Sequence, residues 1–440
     1  MHSAIHSQRH SCSGPRRLGR LLTVALLAGL GLGLAGCIEI EESPAYARVL
    51  NASADYDSLD LYFDDRLRIE SVGYETASGY VEVDADAYTL EFTRADVTST
   101  LLAVSEDLDD QSHTTFVAYG PTGGFGSLRI DEEVAEPGSG DAKVQVVNAA
   151  TDAGSLDVYL TDPGVGLGDV APTFSGLEPG SAADLPVTVD EGTYRLRITA
   201  AGSKSDLRYD HDAVVLASRS VTNFVVTGTG GGFLVNVAAL PQRGALSLMR
   251  NDMARVRVAA GITDAATVTV RTGDDTIAAA VPYTTLTSYQ LVAAGDNPLE
   301  ILVNGTPVLS TNATLEPGAD FTLLLYGTVA TPGGAMLEDA NRLPTGQQAQ
   351  LRLVNGMSGL GAPINAIVDY SPVIENVPLG AASPLVEITT VVDARIDVTQ
   401  ASNGSTLYSR TDVDFDAESI FTLVMFGGPG AATGVLRKDR

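Results

Sequence analysis

The chain has 440 residues, of which 44% are apolar and 19% are charged, and its formal net charge is −28. This length exceeds one typical core, and the apolar fraction excludes a mostly disordered chain. The acidic balance also excludes nucleic acid as a partner, because phosphate binding needs a basic surface.

The first 36 residues have the pattern of a signal peptide. Arginines at positions 16, 17 and 20 precede the apolar run LLTVALLAGLGLGLAG, which covers residues 21–36 and ends in small residues. Cys37 follows at once, and the segment LAGC resembles the lipobox of bacterial lipoproteins. The resemblance implies cleavage before Cys37, acylation of Cys37 and anchoring in a lipid bilayer. The alternatives are an ordinary signal peptide and a membrane-spanning anchor.

The residues around the cleavage point set the expected location. Ile38, rather than an aspartate, follows Cys37, and by resemblance to Gram-negative lipoproteins this implies transport to the outer membrane. Several acyl chains anchor a protein stably, because each buried methylene contributes about 0.8 kcal/mol. Cleavage removes four of the 27 basic residues and none of the 55 acidic ones, which leaves a net charge of −32. Cys37 is then the only cysteine, so no disulfide can form within the mature chain.

One sequence motif, which we call the phrase, recurs four times in the rest of the chain. The four copies are ARVLNASADYDSLDLYFDD from residue 47, KVQVVNAATDAGSLDVYLTD from residue 143, RVRVAAGITDAATVTVRTGDD from residue 255 and QLRLVNGMSGLGAPINAIVDY from residue 350. The anchor positions Asn51, Asn148, Ala260 and Asn355 are 97, 112 and 95 residues apart. Each copy ends in a similar apolar strand and a glycine, as in TTFVAYG and FTLLLYG. A period near 100 residues indicates duplicated domains.

Alternation of apolar and polar residues predicts half-buried strands within each copy. Leu59, Leu61 and Phe63 fall on one face, and Asp60 and Tyr62 fall on the opposite, outward face. Several such strands separated by turn residues predict a β-sandwich of about 100 residues. The chain is therefore predicted to be all-β, with four tandem antiparallel β-sandwich (immunoglobulin-like) domains after a lipoprotein signal peptide.

Turn-rich linkers at residues 132–141, 243–252 and 341–348 help to place the domain boundaries. The predicted segments are a signal peptide over 1–36, a lipidated tether over 37–44, and β-sandwich repeats over 45–135, 141–245, 252–342 and 347–440.

The recurring pattern VxVVNAxxDxxxLDVYL resembles the domain-of-unknown-function family 4397, which occurs in exported bacterial proteins as tandem β-sandwich units. Repeats 1 and 2 match well. Repeat 3 has Ala260 and Thr269 where the others have Asn and Asp, and repeat 4 needs one extra residue. The resemblance implies a fold and export, and it attaches no activity.

The candidate binding residues all lie in the phrase: Asp55, Asp57, Asp60, Tyr62, Asp152, Asp157 and Tyr159. Aspartates at this spacing are typical calcium ligands, but the EF-hand glycine and glutamate positions hold Asp60 and Arg66. The competing interpretation is that Asp55 and Asp152 close turns by accepting backbone N–H groups, while the other carboxylates are solvated. The tyrosines either stack on a sugar or pack against a sheet or the next domain.

No catalytic set emerges from the sequence. The mature chain has two histidines, His113 and His211, in different repeats, and neither accompanies a Gly-x-Ser-x-Gly elbow. The segments GPTGGFG and GTGGGF lack the lysine of a phosphate loop and are interpreted as flexible inter-strand loops.

These observations predict a non-enzymatic, membrane-anchored envelope lipoprotein without a cofactor. Its tandem sandwiches would form a structural or binding arm for an envelope protein or a glycan. Two alternatives stay open: a calcium-dependent adhesive module, and an envelope carbohydrate hydrolase that uses paired carboxylates.

Overall fold

The computed structural model describes residues 44–440, so the predicted signal peptide, Cys37 and the tether before Pro44 lie outside the described residues. Within 44–440, no helix is long and apolar enough to cross a membrane.

The strands fall into four successive sets, one for each repeat. Repeat 1 contains β1 (Pro44–Asn51), β2 (Ser58–Phe63), β3 (Arg66–Gly73), β4 (Thr76–Ala77), β5 (Val81–Asp84), β6 (Ala87–Arg94), β7 (Thr100–Asp107), β8 (His113–Tyr119) and β9 (Gly126–Asp131). Repeat 2 contains β10 (Asp141–Asn148), a 3₁₀ turn (Thr151–Ala153), β11 (Leu156–Thr161), β12 (Phe174–Leu177), β13 (Ser181–Ala182), β14 (Val187–Asp190), β15 (Gly192–Ala200), β16 (Leu207–Leu216), β17 (Val221–Gly228), β18 (Val235–Pro241) and β19 (Ser247–Met249).

The second half of the chain follows the same order. Repeat 3 contains β20 (Met253–Ala260), β21 (Thr267–Thr272), β22 (Asp275–Pro282), β23 (Thr285–Leu286), β24 (Gln290–Ala293), β25 (Gly295–Val303), β26 (Thr306–Leu315), β27 (Asp320–Gly327) and β28 (Pro332–Asp339). Repeat 4 contains β29 (Gln348–Met357), β30 (Ile364–Val368), β31 (Ser371–Val377), β32 (Val386–Thr389), β33 (Val391–Gln400), β34 (Thr406–Phe415), β35 (Ser419–Gly427) and β36 (Thr433–Lys438).

Each repeat is a sandwich of two sheets. In repeat 1 one sheet has the order β4-β1-β8-β9, with β5 also paired to β1, and the other has the order β3-β2-β6-β7. The other repeats follow the same plan. The prediction of an all-β chain of tandem sandwiches is confirmed. The sheets are not wholly antiparallel, because the first strand of each repeat pairs in parallel with the strand that follows the long hairpin, as β1 does with β8.

The sheet with the parallel pair is buried on both faces. Ala47 and Val49 of β1 point into the core of repeat 1, whereas Leu50 packs into a separate cluster shared with repeat 2. Strands buried on both faces have nearly continuous apolar sequences, which accounts for FVAY and LLLY at the end of each copy.

The repeats pack in pairs through these sheets, rather than standing as separate sandwiches in a row. We call the two contacts the 1–2 seam and the 3–4 seam. The buried apolar residues of the 1–2 seam are Leu50, Ala52, Val117, Ile130, Val147, Ala149, Val225 and Ala238. Those of the 3–4 seam are Ala259, Leu286, Leu324, Val354, Val424 and Phe426.

The 3–4 seam also buries two arginines with reciprocal partners. Arg257 of repeat 3 pairs with Asp439 of repeat 4, and Arg352 of repeat 4 pairs with Asp339 of repeat 3 at 2.6 Å. Burial alone would lower the pKa of Arg257, but Tyr289 and the two aspartates raise it above its usual value. The charged form of Arg257 is therefore held within the seam.

The 1–2 seam contains one buried arginine, Arg48, that is paired with an acid. Arg48 Nη2 donates to Glu132 at 2.8 Å, and Arg48 Nη1 donates to the carbonyl oxygen of Gly244, from repeat 2, at 2.6 Å. In repeat 2 the corresponding acid position holds Gln242, whose amide exchanges hydrogen bonds with the backbone of Val134.

Each predicted linker contains a residue that is buried in the folded protein. Glu132 and Asn341 are buried in the first and third linkers, and Asn251 is buried in the second, where it donates to the carbonyl oxygens of Arg208 and Val235. β19 pairs with β18, so the sheet of repeat 2 extends to Met249, beyond the expected boundary at residue 245. Residues 44–440 accordingly belong to one compact unit.

Arg257→Ala should destabilise the protein by about 3–5 kcal/mol, because it leaves buried carboxylates without their cation. The double change Arg257→Met with Asp439→Leu should cost less, since it removes the charge pair together. Urea unfolding of the mature protein with Cys37→Ser measures both. Arg410→Ala, at an exposed position, is the control and should stay within about 0.5 kcal/mol. Equal effects at positions 257 and 410 would contradict the buried network.

Candidate functional site

The anchor asparagines close the turn after the first strand. Asn51 donates from Nδ2 to the carbonyl oxygens of Tyr56 and Val72, at 2.9 and 3.1 Å, and accepts the N–H of Ser53. Asn148 and Asn355 make the corresponding bonds in repeats 2 and 4. All three side chains are fully buried, so their amides hold the turn and are closed to a ligand.

Asp60 caps a β-bulge on the neighbouring strand. Its Oδ1 accepts the N–H of Ser71 at 2.7 Å, and Ser71 has a φ of 53° in a strand pair whose register shifts there. Such a bulge leaves one N–H outside the ladder, and a side-chain oxygen can satisfy it. Asp60 is 7% exposed, so the expectation of a solvated, outward carboxylate was wrong.

The other repeats use the same device with different side chains. Asp157 accepts the N–H of Gly176 at 2.8 Å, Thr269 that of Ala280 at 3.0 Å, and Asn365 that of Asn376 at 2.7 Å. Each of the three donors has a φ between 48° and 62°. Repeat 3 loses the acid but keeps an acceptor oxygen, which is what a structural cap requires. Asp157 also accepts the N–H of Gly202 at 2.9 Å, so both of its oxygens are engaged.

The two tyrosines of the phrase have different surroundings. Tyr62 is half-buried, whereas Tyr159 is 1% exposed and presents no open ring face. The outward position expected for Tyr159 was wrong. Repeat 2 has a longer connection over residues 162–173, and its Val165 carbonyl oxygen accepts from Arg197, the residue opposite Tyr159 in the ladder. Asp57 is exposed and stays available to solvent.

Asp55 and Asp152 hold one arginine from a distant part of the chain. Arg342, in the linker between repeats 3 and 4, lies 2.5 Å from Asp55 Oδ1 and 3.2 Å from Asp152 Oδ2. Asp55 also accepts the N–H of Thr122, and Asp152 that of Leu343. Burial raises the pKa of Asp55, but the Thr122 N–H and the Arg342 charge outweigh this and lower it. These two carboxylates therefore join repeats 1 and 2 to the second pair.

The glycine-rich loop after β17 makes a further contact between the pairs. Thr229 Oγ1 donates to the Gly318 carbonyl oxygen at 2.8 Å, and a Cβ on Gly231 would lie 2.5 Å from the same oxygen. Phe233 lies under the guanidinium groups of Arg255, at 3.8 Å, and Arg440, at 4.0 Å. GTGGGF is an inter-strand loop as expected, but its backbone is packed against repeat 3.

The histidines do not converge. His211 stacks on Tyr209 in repeat 2, while His113 stacks on Tyr46 in repeat 1. Across residues 44–440, no group of three or more His, Cys, Asp or Glu side chains could hold a metal ion. An open cleft of about 650 Å³ in repeat 3 is lined by Asp274, Asp275 and Gln290 among others. It brings together no histidine or thiol with these carboxylates.

The sequence did not point to Arg342, Phe233 or the seam arginines. A signal was present for the last group, because Arg48, Arg257 and Arg352 each lie between two apolar residues of a mostly buried strand. A buried arginine at such a position implies a buried acid on a facing element.

Two segments of the chain, residues 45–159 and 254–362, match the model of the family described as domain of unknown function DUF4397. Together they cover about half of the chain. The chain belongs to this family. The resemblance seen in the sequence is thus confirmed. The two matches begin at corresponding residues, Ala45 and Ala254, and each runs through an odd-numbered repeat into the start of the next. Each match therefore begins in the first strand of a pair.

Among solved structures, the chain matches CBMbc, a family 26 carbohydrate-binding module of Amy13K from Eubacterium rectale in complex with maltoheptaose. The identity is 12%, the TM-score is 0.16, and the match covers 46% of this chain and 97% of the module. With a TM-score this low, we draw nothing about the fold or ligand of this chain from the match. No curated protein shows significant similarity to the chain.

Asp60→Ala should destabilise the protein by about 1–3 kcal/mol, because the Ser71 N–H loses a charged acceptor that is itself buried. Asp57→Ala, three residues away on an exposed side chain, should change stability by less than about 0.5 kcal/mol. Urea unfolding of the two variants measures the difference. Similar losses at both positions would contradict the bulge-capping role.

Calcium at millimolar concentration should shift the melting temperature by less than about 1 °C, because most oxygens of the phrase already accept protein donors. Thermal unfolding with calcium and with a chelator measures this. A rise of several degrees that the chelator reverses would show that a site forms despite these bonds.

Proposed function

We propose that this DUF4397 chain is a lipid-anchored, non-enzymatic protein of the cell envelope whose paired sandwiches form a structural or binding module for a protein or a glycan. The proposal places the mature chain at the outer membrane of a Gram-negative bacterium, tethered through acylated Cys37. The packing of the repeats in pairs supports a module built from two paired units, in place of the row of separate sandwiches expected from the sequence.

The engagement of the phrase carboxylates is the observation that carries the non-enzymatic part. Asp60 and Asp157 cap bulges, and Asp55 and Asp152 bind Arg342 and backbone N–H groups. A general acid or nucleophile has to reach the substrate, which these carboxylates do not do. Thr269 in the place of the acid also fits a scaffold and does not fit a duplicated catalytic centre.

The anchoring part is supported by residues 21–37 and by charge. An apolar run that ends in small residues directly before Cys37 is the arrangement that lipid attachment requires. The acidic mature chain would be repelled by anionic headgroups, so the acyl chains would have to supply the attraction to the bilayer.

Cys37→Ser should move the protein from the membrane fraction to the soluble fraction of the envelope and abolish incorporation of a fatty-acid label. Asp57→Ala is a matched control that should keep both properties. Cell fractionation with metabolic labelling measures this. A Cys37→Ser protein that stays in the membrane fraction, or a parent protein without the label, would contradict the anchoring proposal.

A further inference from the structure

Repeats 1 and 3 present the same three positions at the end of the sandwich where the chain enters. In repeat 3 two of them are Arg255 and Asp320, which face each other across the parallel strand pair. In repeat 1 the facing residues are Tyr46 and His113.

The third position is a tyrosine in both repeats. Tyr289 of repeat 3 lies two residues after Thr287, whose hydroxyl accepts the N–H of Val258 in the first strand. Tyr80 of repeat 1 lies two residues after Ser78, whose hydroxyl accepts the N–H of Val49 in the same way. The shared hydrogen bond shows that the two tyrosines occupy equivalent places.

In repeat 3 these positions hold a loop of the preceding pair. Arg255 Nε donates to Asp320 at 2.7 Å, and the guanidinium of Arg255 covers the Phe233 ring at 3.8 Å. The Gly318 carbonyl oxygen receives Thr229 beside them. The chain thus shows what this end of a sandwich can bind: a glycine-rich loop that presents one side chain to the facing pair.

In repeat 1 the same place is an open cleft of about 630 Å³. His113 stacks on Tyr46 at 4.6 Å, and Tyr80 meets the His113 ring edge-on at 5.2 Å. Tyr80 lies behind this pair, because its hydroxyl is buried and the Arg48 guanidinium already covers its ring at 4.5 Å. His113 Nδ1 lies 3.4 Å from Glu133 Oε1 but lacks hydrogen-bond geometry. Two stacked aromatic rings, Tyr46 and His113, therefore line an open cleft at the place that is covered in repeat 3.

The two sites would play opposite roles in a cation–π contact. Repeat 3 provides the cation and receives an aromatic ring, whereas repeat 1 provides aromatic rings. Asp109 and Asp110 line the repeat 1 cleft and are exposed, and Glu133 is neutralised by Arg243. A cation–π contact works with either partner as the cation, and nearby carboxylates favour a positively charged ligand.

We propose that the cleft lined by Tyr46, His113, Asp109 and Asp110 docks an arginine or lysine side chain presented on a glycine-rich loop of a partner protein. This inference rests on the proposed binding function and assigns its site and the chemistry of its partner. The tether before Pro44 is a poor occupant, because it carries Glu39, Glu41 and Glu42.

A second copy of the chain also fits poorly. The loop of repeat 4 that corresponds to Gly228–Leu234 is GGPGAATG, residues 427–434, which has neither a basic nor an aromatic residue. The occupant is therefore a different protein with a basic loop.

The test uses the mature chain with Cys37→Ser and fluorescein-labelled peptides Gly-Thr-Gly-Gly-Gly-X-Leu, which copy residues 228–234 with X as Arg, Phe or Glu. Fluorescence anisotropy should show that the Arg peptide binds at least about tenfold more tightly than the Glu peptide. Tyr46→Ala and His113→Ala should each remove most of this preference, because both rings line the cleft. Leu185→Ala is the control, at the exposed place in repeat 2 that corresponds to Tyr80.

A conversion variant separates docking from folding. Tyr46→Arg with His113→Asp gives repeat 1 the pair found in repeat 3, and it should change the preference from the Arg peptide to the Phe peptide. Its melting temperature shows whether it folds. A folded variant that keeps the original preference would overturn the proposal.

Two other results would also overturn the proposal. One is equal binding of the Arg and Glu peptides, or no binding of either. The other is a neutral oligosaccharide that binds the parent chain and is lost with Tyr46→Ala, which would assign the cleft to a glycan. Neither result touches membrane anchoring, which the Cys37→Ser fractionation tests separately.

Discussion

A guanidinium buried between two sheets has to meet its carboxylate inside the contact, because an unpaired charge there costs several kcal/mol. In repeats 3 and 4 the arginine of each repeat pairs with an aspartate of the other repeat. Arg257 pairs with Asp439, and Arg352 pairs with Asp339. Repeats 1 and 2 satisfy the same condition with Arg48 and Glu132 beside the Gly244 carbonyl oxygen. This pairing determines which faces of two sandwiches meet. The pair of repeats, rather than the single sandwich, is therefore the structural unit of the chain.

The carboxylates of the acidic phrase stabilise the structure both within a sandwich and between the two pairs. Within a sandwich its later carboxylate, such as Asp60, caps a bulge, and between the pairs its earlier carboxylates, Asp55 and Asp152, bind Arg342. The phrase recurs because every repeat needs the turn and the bulge. The proposed binding uses a surface that this architecture leaves open, at the end of repeat 1 that corresponds to the covered end of repeat 3.

The strands and the duplication could be predicted from local pattern, because the alternation of Leu59, Leu61 and Phe63 is set by neighbours two residues apart. The burial of Asp60 could not, since its partner is a bulge N–H on another strand. Tyr159 was misplaced because the extra loop of repeat 2 breaks the correspondence with Tyr62. Arg342 contacts Asp152, which is 190 positions away in the sequence, and Asp55, which is farther still. Periodicity within one sequence gives no information about contacts between such distant residues. The continuous apolar run of each parallel strand pair did indicate that repeats pack together, because such a run is expected of strands that are buried on both faces.

The second pair docks on the first through the linker at Arg342, and crosslinking tests this contact most directly. A Cβ on Gly123, in repeat 1, would lie 3.6 Å from Thr345 Oγ1, in that linker. The mature chain with Cys37→Ser has no other cysteine, so Gly123→Cys with Thr345→Cys provides one pair of thiols. The account predicts that a short bismaleimide joins them within one chain, which gives a monomer of altered gel mobility, while each single variant stays unchanged. Crosslinks only between chains, or none, would contradict the docking of the two pairs.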